Sequence, residues 1–208
     1  MPTPTYSYTT RLQPPPGLTP LTLPTPTNTN PPQNPPVLND ALTIRSQVFI
    51  TEQNCSALTE IDTDDARSWH WVLYDGTTAV GTIRLVPPPQ THAPEEAEAL
   101  QKGGEEAEPC VKLTRVAIVP MYRGRGLGRR LVETALGWAA GHCREVEAGI
   151  QGENEGGCWR GLVLVHAQVD VEGMYGRLGF VVDEGLGRWD EEGIEHLGMY
   201  KRIEVGLM

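Results

Sequence analysis

Residues 116–131 have the sequence VAIVPMYRGRGLGRRL, which is the most informative stretch of the chain. An apolar strand runs into a loop with glycines at 124, 126 and 128, and the loop opens an amphipathic helix. Glycine permits sharp turns and close approach of a ligand, and the first N–H groups of a helix attract negative charge. The stretch therefore predicts a cradle for a pyrophosphate group.

Two common phosphate-binding loops do not match this stretch. A nucleoside triphosphate loop ends in Gly-Lys-Ser or Gly-Lys-Thr, an ending that is missing here. A dinucleotide-binding fold carries its glycines in the first strand-helix unit, whereas this loop lies past the middle of the chain. Neither class of protein is indicated.

The pattern Arg-x-x-Gly-x-Gly, present as Arg123, Gly126 and Gly128, resembles the acetyl-CoA loop of the GNAT superfamily of N-acetyltransferases. Two downstream stretches extend the resemblance: LVLVHAQ at 162–168 resembles the next buried strand, and MYGRLGF at 174–180 resembles the tyrosine-containing helix end and the strand after it. Within the superfamily the chain is similar to the bacterial ElaA-like group. That similarity is carried by VFITEQ at 48–53, RVAI at 115–118, Ala167-Gln168 and EGIEHLGM at 192–199.

The length of the chain predicts a single domain over residues 1–208. The resemblance, which covers roughly residues 39–203, implies an α/β fold with a mixed, mostly antiparallel central sheet flanked by helices. A splayed central strand pair would bind acetyl-CoA. Backbone groups of Val116, Ala117 and Ile118 would hold the pantetheine arm and polarise the acetyl carbonyl. The residues around the pyrophosphate would be Arg123, Gly124, Arg125, Gly126, Leu127, Gly128 and Arg129.

Two residues are candidates for proton transfer. The resemblance aligns Tyr175 with the tyrosine that many members use to protonate the departing thiolate, and the alternative is a tyrosine that only packs against the cofactor. The acceptor amine must also lose a proton. Glu52, at the end of the first predicted helix, is the candidate base, and an exposed structural carboxylate is its alternative.

Polar residues on apolar strands are candidates for binding the acceptor amine, because such residues require partners. Each could instead serve as a structural hydrogen-bonding group. The candidates are Glu52, Gln53, His70, Arg84, Arg115, Gln168 and His196. Asp62, Asp64 and Asp65 lack the ordered ligand spacing of a metal site, so no metal is expected. A solvated loop is favoured, and recognition of a cationic substrate is the alternative.

The composition narrows the class of protein. A net charge of -10 and a pI near 5.0 argue against a nucleic-acid partner. The four cysteines lack the spacing of a metal or redox pair, and the chain has no apolar run of membrane-spanning length and no secretory signal pattern. We expect a cytoplasmic protein, without excluding the nucleus, and the resemblance leaves a homodimer open.

The periodicity predicts strands at 5–12, 68–74, 79–85, 111–119, 162–169, 180–189 and 196–204, and helices at 39–54, 126–143 and 171–178. The segments 68–74 and 79–85 form a predicted hairpin. Residues 13–38, rich in Pro, Thr and Asn, are expected to be a long surface loop, and residues 87–109 an acidic insertion.

The resulting hypothesis is an N-acetyltransferase that moves an acetyl group from acetyl-CoA to a primary amine of a small molecule, by direct transfer in a ternary complex. Among acceptors we favour an amino sugar over a polyamine or an amino acid, because Asp, His, Arg and Gln suit a polyhydroxylated molecule. Two alternatives stay open: an acetyltransferase for protein lysines or N-termini, and an acyl-CoA-binding module that regulates a partner without turnover.

Overall fold

A computed structural model describes residues 7–17, 20–88, 108–148 and 158–206 of the chain. Most of the predicted acidic insertion, residues 89–107, lies outside this part. The chain divides into two compact units: residues 1–84 with 115–132, and residues 85–114 with 133–208. The expectation of one domain over the whole chain stays a prediction.

The first unit contains three strands and the end of a fourth. Their order in the sheet is β1 (Tyr8–Gln13), β2 (Trp69–Asp75), β3 (Thr78–Val86) and β4 (Val111–Ile118). β1 (Tyr8–Gln13) pairs antiparallel with β2 (Trp69–Asp75), from Tyr8 opposite Asp75 to Gln13 opposite His70. β3 (Thr78–Val86) follows β2 through a tight turn, at which Gly76 has φ +58°. The predicted first strand and the predicted hairpin are therefore present.

Helix α1 (Pro36–Arg45) packs on this sheet and continues as a π-helical segment, Ser46–Glu52. Its apolar residues recur at intervals of three and four, so one face is buried. The core cluster consists of Leu38, Ala41, Leu42, Ile44, Val48, Val72, Tyr74 and Ala117. The predicted helix begins three residues earlier than expected, because Pro36 occupies the first turn, where a missing N–H costs nothing.

The Pro-rich segment before α1 forms a loop, as predicted, but part of it is anchored. Asn34 is buried, and its side chain bonds both the N–H and the carbonyl of Thr22. Asn39, within α1, accepts a hydrogen bond from the Asn34 amide at 2.8 Å. Leu21 and Leu23 also pack against the core cluster. Asparagine amides therefore hold this loop against the core.

The second unit contains the start of β4 (Val111–Ile118). The strands that follow it in the sheet are β5 (Leu162–Gln168), β8 (Ile194–Arg202) and β6 (Val181–Val182). Val111–Leu113 pair parallel with Val163–Val165 of β5 (Leu162–Gln168). β5 pairs antiparallel along its length with β8 (Ile194–Arg202). A mixed, mostly antiparallel sheet flanked by helices was the predicted fold class, and it is confirmed.

The helices that flank the sheet are α2 (Leu127–Gly141), the short α3 (Cys143–Glu147) and α4 (Glu172–Arg177). None of the helices within the described ranges has the length and apolar character to cross a bilayer.

The first predicted closing strand, 180–189, is wrong in detail. It is split into β6 (Val181–Val182) and β7 (Arg188–Glu191), which both pair with β8. Asp183 causes the interruption, because its carboxylate accepts hydrogen bonds from the N–H groups of Gly185, at 2.7 Å, and Leu186.

Gly161 before β5 provides a test of packing in the second unit. Its φ is +83°, and a Cβ there would collide with the carbonyl oxygen of Ile203. Gly161→Ala should lower the free energy of unfolding by roughly 2–4 kcal/mol, since strain and a backbone clash add. Gly137→Ala, in open space on α2, should raise it by about 0.5–1 kcal/mol. Urea denaturation that gives the two variants equal stability would contradict this packing.

Candidate active site

The glycine loop in the first unit has the backbone that the sequence predicts. Gly124 and Gly126 both have φ +74°, in the left-handed region that favours glycine. Helix α2 begins at Leu127, and the N–H of Arg130 donates to the carbonyl of Gly126 at 3.0 Å. The N–H groups of Leu127 and Gly128 precede this bond and therefore have no acceptor within the helix.

The space in front of the loop fits an anion. A Cβ on Gly124 or Gly126 would meet no described atom within 4 Å. Arg125 and Arg129 are exposed beside it, and Arg125 lies over the Tyr122 ring with its Nη2 on the Met121 carbonyl. Leu127 is buried, so it anchors the helix rather than facing the open space. Positive charge, helix N–H groups and open space are thus combined at one loop.

Arg123 is bound within the protein. Its Nη1 and Nη2 donate to the two carboxylate oxygens of Glu52 at 2.6 and 2.7 Å, and its Nε donates to the carbonyl of Ile118. These hydrogen bonds lower the pKa of Glu52. A carboxylate held on both oxygens is a poor proton acceptor at neutral pH, so the geometry favours the structural alternative for Glu52. Gln53, next in the chain, is half-buried at the end of the π-helical segment.

Seven residues that come from five segments of the first unit form a buried ion cluster. Three arginines face three carboxylates, and a histidine lies beside them. The members are Arg45, Glu60, Asp62, Asp65, His70, Arg84 and Arg115. Three of them, His70, Arg84 and Arg115, were predicted to bind the acceptor, and the structure brings these three together.

Asp65 lies at the centre of the ion cluster and is completely buried. Its carboxylate binds Arg45 at 2.6 Å and Arg84 at 3.1 Å. Arg84 also binds both carboxylate oxygens of Asp62, at 2.6 and 2.9 Å. Arg45 in addition contacts the side chain and the carbonyl of Glu60. The prediction of a solvated loop at Asp62–Asp65 is therefore wrong for Asp65, because its buried carboxylate binds Arg45 and Arg84.

Burial and charge set the protonation states within the ion cluster. Burial alone would raise the pKa values of Asp62 and Asp65, but the neighbouring arginines outweigh it and lower both. Burial lowers the pKa of His70 to about 4, and the charges of Arg45 and Arg84 act in the same direction. His70 is therefore neutral at pH 7. Because His70 and Arg84 are 1% and 2% exposed, their burial favours the structural alternative for both.

Arg115 lies at the more exposed edge of the ion cluster. Its Nη2 is 3.2 to 3.3 Å from the carbonyls of Thr59 and Glu60 and from Asp62 Oδ2. Its backbone has φ +53°, which is rare for a residue with a side chain. The left-handed residue stands directly before Val116, Ala117 and Ile118, the predicted pantetheine strand.

Tyr175 in the second unit lies on α4 with its ring buried, edge-on to Phe180 at 5.4 Å. Burial raises the pKa of its phenol, so the hydroxyl keeps its proton throughout the neutral range. Within the described part of the chain no group shares a hydrogen bond with this hydroxyl. A proton donor must carry its proton at the pH of the reaction, and the Tyr175 hydroxyl does so at neutral pH.

Gln168 and His196, two further acceptor candidates, are brought together in the second unit. They lie directly opposite each other on β5 and β8, and both are half-buried. Trp189 of β7 lies opposite His196 on the other side, and His166 of β5 contacts the Trp189 ring edge at 4.8 Å.

The sequence prediction missed Arg45, Glu60, Trp189 and His166. Arg45 could have been found, because it occupies the apolar stripe of α1 seven residues after Leu38, and a buried arginine requires acidic partners. Trp189 depended on the splitting of the closing strand, which the periodicity did not indicate.

The ion cluster predicts how stability depends on pH. The unfolded chain protonates histidine near pH 6.5, whereas folded His70 protonates near pH 4, so acid favours unfolding within this window. Between pH 7 and pH 5 the protein should lose about 2 kcal/mol of unfolding free energy through His70. His70→Gln retains a donor for the Asp65 carbonyl, bonded here at 3.1 Å, and should remove this loss. Equal losses in urea titrations of both proteins would contradict the prediction.

Comparison with known proteins agrees with this geometry. Residues 38–180 match the model of the acetyltransferase (GNAT) family. An uncharacterized N-acetyltransferase of Bacillus subtilis, YjcF, is 30% identical over 165 residues, which cover 79% of this chain and 91% of that protein.

Two crystal structures share the fold. An acyl-CoA N-acyltransferase from Pseudomonas aeruginosa has a TM-score of 0.55 and 24% identity, covering 95% of this chain and 99% of that one. Escherichia coli ElaA also has a TM-score of 0.55, with 23% identity over 79% of this chain and 90% of that one. The family match, the YjcF likeness and the glycine loop lead to one conclusion: the chain belongs to the GNAT family and is an acyltransferase.

Proposed function

We propose that the protein transfers an acetyl group from acetyl-CoA to a primary amine of a small molecule, by direct transfer in a ternary complex. The observation that carries this proposal is the left-handed, open backbone at Gly124 and Gly126 where α2 begins. In a GNAT protein such a loop holds the pyrophosphate of the acyl-CoA. Anchoring the distant phosphates positions the thioester, and good positioning can contribute roughly 7–11 kcal/mol to the rate.

Each unit has its own part in this proposal. In the first, the N–H groups of Leu127 and Gly128, with Arg125 and Arg129, bind the pyrophosphate. Arg123 serves through its contact with Glu52, which joins the loop to the end of the π-helical segment. The backbone of Val116–Ile118 holds the pantetheine arm, and Arg115 fixes the conformation just before it.

In the second unit, Tyr175 protonates the thiolate that leaves when the C–S bond of the thioester breaks. The phenol carries its proton at neutral pH and can therefore donate it. A module that only bound acyl-CoA would need no such hydroxyl. The proton donor therefore favours an enzyme over the regulatory alternative.

The choice of acceptor rests on fewer residues than the sequence indicated. Asp62, His70 and Arg84 were among the residues that favoured an amino sugar as the acceptor. All three instead make hydrogen bonds within the ion cluster. Gln168 and His196 remain as half-buried polar residues that can contact an acceptor. We therefore propose a small primary amine and treat amino sugars, polyamines and amino acids as acceptors to be compared.

The phosphate-binding role can be tested with two matched glycine variants. Gly126→Ala places a methyl group in the open space of the loop, while Gly76→Ala introduces the same left-handed strain in the β2–β3 turn. Gly126→Ala should weaken coenzyme A binding at least tenfold, about 1.4 kcal/mol. Gly76→Ala should bind normally. Calorimetry that gives both variants the wild-type affinity would refute the role of the loop.

Tyr175→Phe tests the proton donor. We expect kcat to fall by about 10²-fold or more, with KM for acetyl-CoA and the thermal midpoint nearly unchanged, since the described residues lose no hydrogen bond. Tyr74→Phe is the matched control: it removes a hydroxyl that donates to Asp40 at 2.6 Å and should lower stability without lowering kcat. A fully active Tyr175→Phe enzyme would exclude the proposed role.

A further inference from the structure

Four aromatic and polar side chains share one face of the sheet in the second unit. Gln168, His196 and Trp189 lie side by side on β5, β8 and β7, each directly opposite the next. Residues paired in this way project to the same face, and His166 joins them because it precedes Gln168 by two residues. All four are half-buried, so part of each side chain is open to solvent. We name these four residues the β8 cluster.

The hydrogen bond of His196 fixes which ring nitrogen is basic. Its Nδ1 lies 2.8 Å from the carbonyl oxygen of Ile194, and a carbonyl can only accept a hydrogen bond. Nδ1 therefore carries the proton, and Nε2 of the neutral ring has the lone pair. Nε2 is the nitrogen that can take up a further proton.

The surroundings of His196 suit a base that gains positive charge. The Trp189 ring is stacked on His196, with 22° between the planes and 6.2 Å between the centroids, and an indole face attracts a cation. Leu186 fills the space over Gly198, two residues further along β8, and closes one side of the cluster. Arg188 is bound to Glu195 at 3.6 Å and to Glu172 at 3.4 Å. The titratable and charged groups on β5, β7, β8, the turn Val169–Val171 and α4 are His166, Asp170, Glu172, Tyr175, Arg177, Arg188, Asp190, Glu191, Glu195, Tyr200, Lys201 and Arg202.

The β8 cluster lies at the same end of β5 as the proposed proton donor. The parallel register of β5 ends at Val165, and Gln168 is the last residue of the strand. A single turn, Val169–Val171, then leads into α4, which carries Tyr175. In the second unit, the Tyr175 phenol follows β5 in the chain, and the His196 imidazole lies on β8 opposite the last residue of β5.

We propose that the β8 cluster is the acceptor subsite, with His196 as the general base and Gln168 as a hydrogen-bonding group for the acceptor. The inference rests on the proposed function. Nε2 of His196 takes one proton from the ammonium of the acceptor. The freed nitrogen lone pair forms the C–N bond as the C–S bond breaks, the thiolate receives a proton from Tyr175, and the second amine proton restores Tyr175. His196 then releases its proton to water.

The kinetic test compares the wild type with His196→Gln and with a matched control, using acetyl-CoA and glucosamine, spermidine or lysine as acceptors. His142→Gln is the control, because His142 is also stacked on a tryptophan, Trp138, and also donates from Nδ1 to a backbone carbonyl. His196→Gln should lower kcat/KM about 10²-fold and abolish its decline toward acid pH, while His142→Gln changes neither. A His196→Gln enzyme with the wild-type rate and pH profile would overturn the assignment.

A second measurement does not require turnover or a mutant that folds. Long-range ¹⁵N–¹H NMR of the wild-type protein should show that the neutral His196 ring carries its proton on Nδ1 and not on Nε2. A proton on Nε2 instead would refute the base. If the wild type acetylates none of the three amines, the proposed function fails for these acceptors, and the tautomer result still decides separately whether His196 has a basic Nε2.

Discussion

The first unit depends on the buried ion pairs that the Asp65 carboxylate forms with Arg45 and Arg84. This carboxylate lies between Arg45 of α1 and Arg84 of β3, and the backbone carbonyl of Asp65 contacts His70 of β2. Removing one partner from a buried ion pair costs about 3–5 kcal/mol, because the remaining charge is left without compensation. The cluster is balanced, with three arginines against three carboxylates, so each charge requires the others. This mutual dependence fixes the helix, the loop and the strands to each other.

The same cluster reaches the proposed cofactor strand through Arg115. Its guanidinium bonds to the carbonyls of Thr59 and Glu60 and to Asp62, while its backbone is left-handed. Such a conformation costs on the order of 1–3 kcal/mol and persists only where surrounding contacts enforce it. Proton transfer is assigned to the second unit, on Tyr175 and His196. In the proposed function, phosphate binding is assigned to the first unit.

The sequence predicted what is encoded locally. Glycines at 124 and 126 indicate a left-handed loop by themselves, and two strand-forming segments separated by the turn at Asp75-Gly76 indicate a hairpin. Contacts between distant segments could not be predicted in this way. Arg45 and Asp65 are 20 residues apart, and nothing in their immediate neighbourhood shows that they pair. Asp183 and Trp189 were missed because an aspartate turn splits a segment whose apolar pattern indicates a single strand.

The most direct test of the central claim is to measure free coenzyme A and N-acetylated product together, with acetyl-CoA and a panel of amino sugars, polyamines, amino acids and lysine peptides. Free coenzyme A and N-acetylated amine should form in equal amounts with at least one small amine, and faster than with any peptide. Coenzyme A binding without product from any small amine, or faster acetylation of peptides, would contradict this claim.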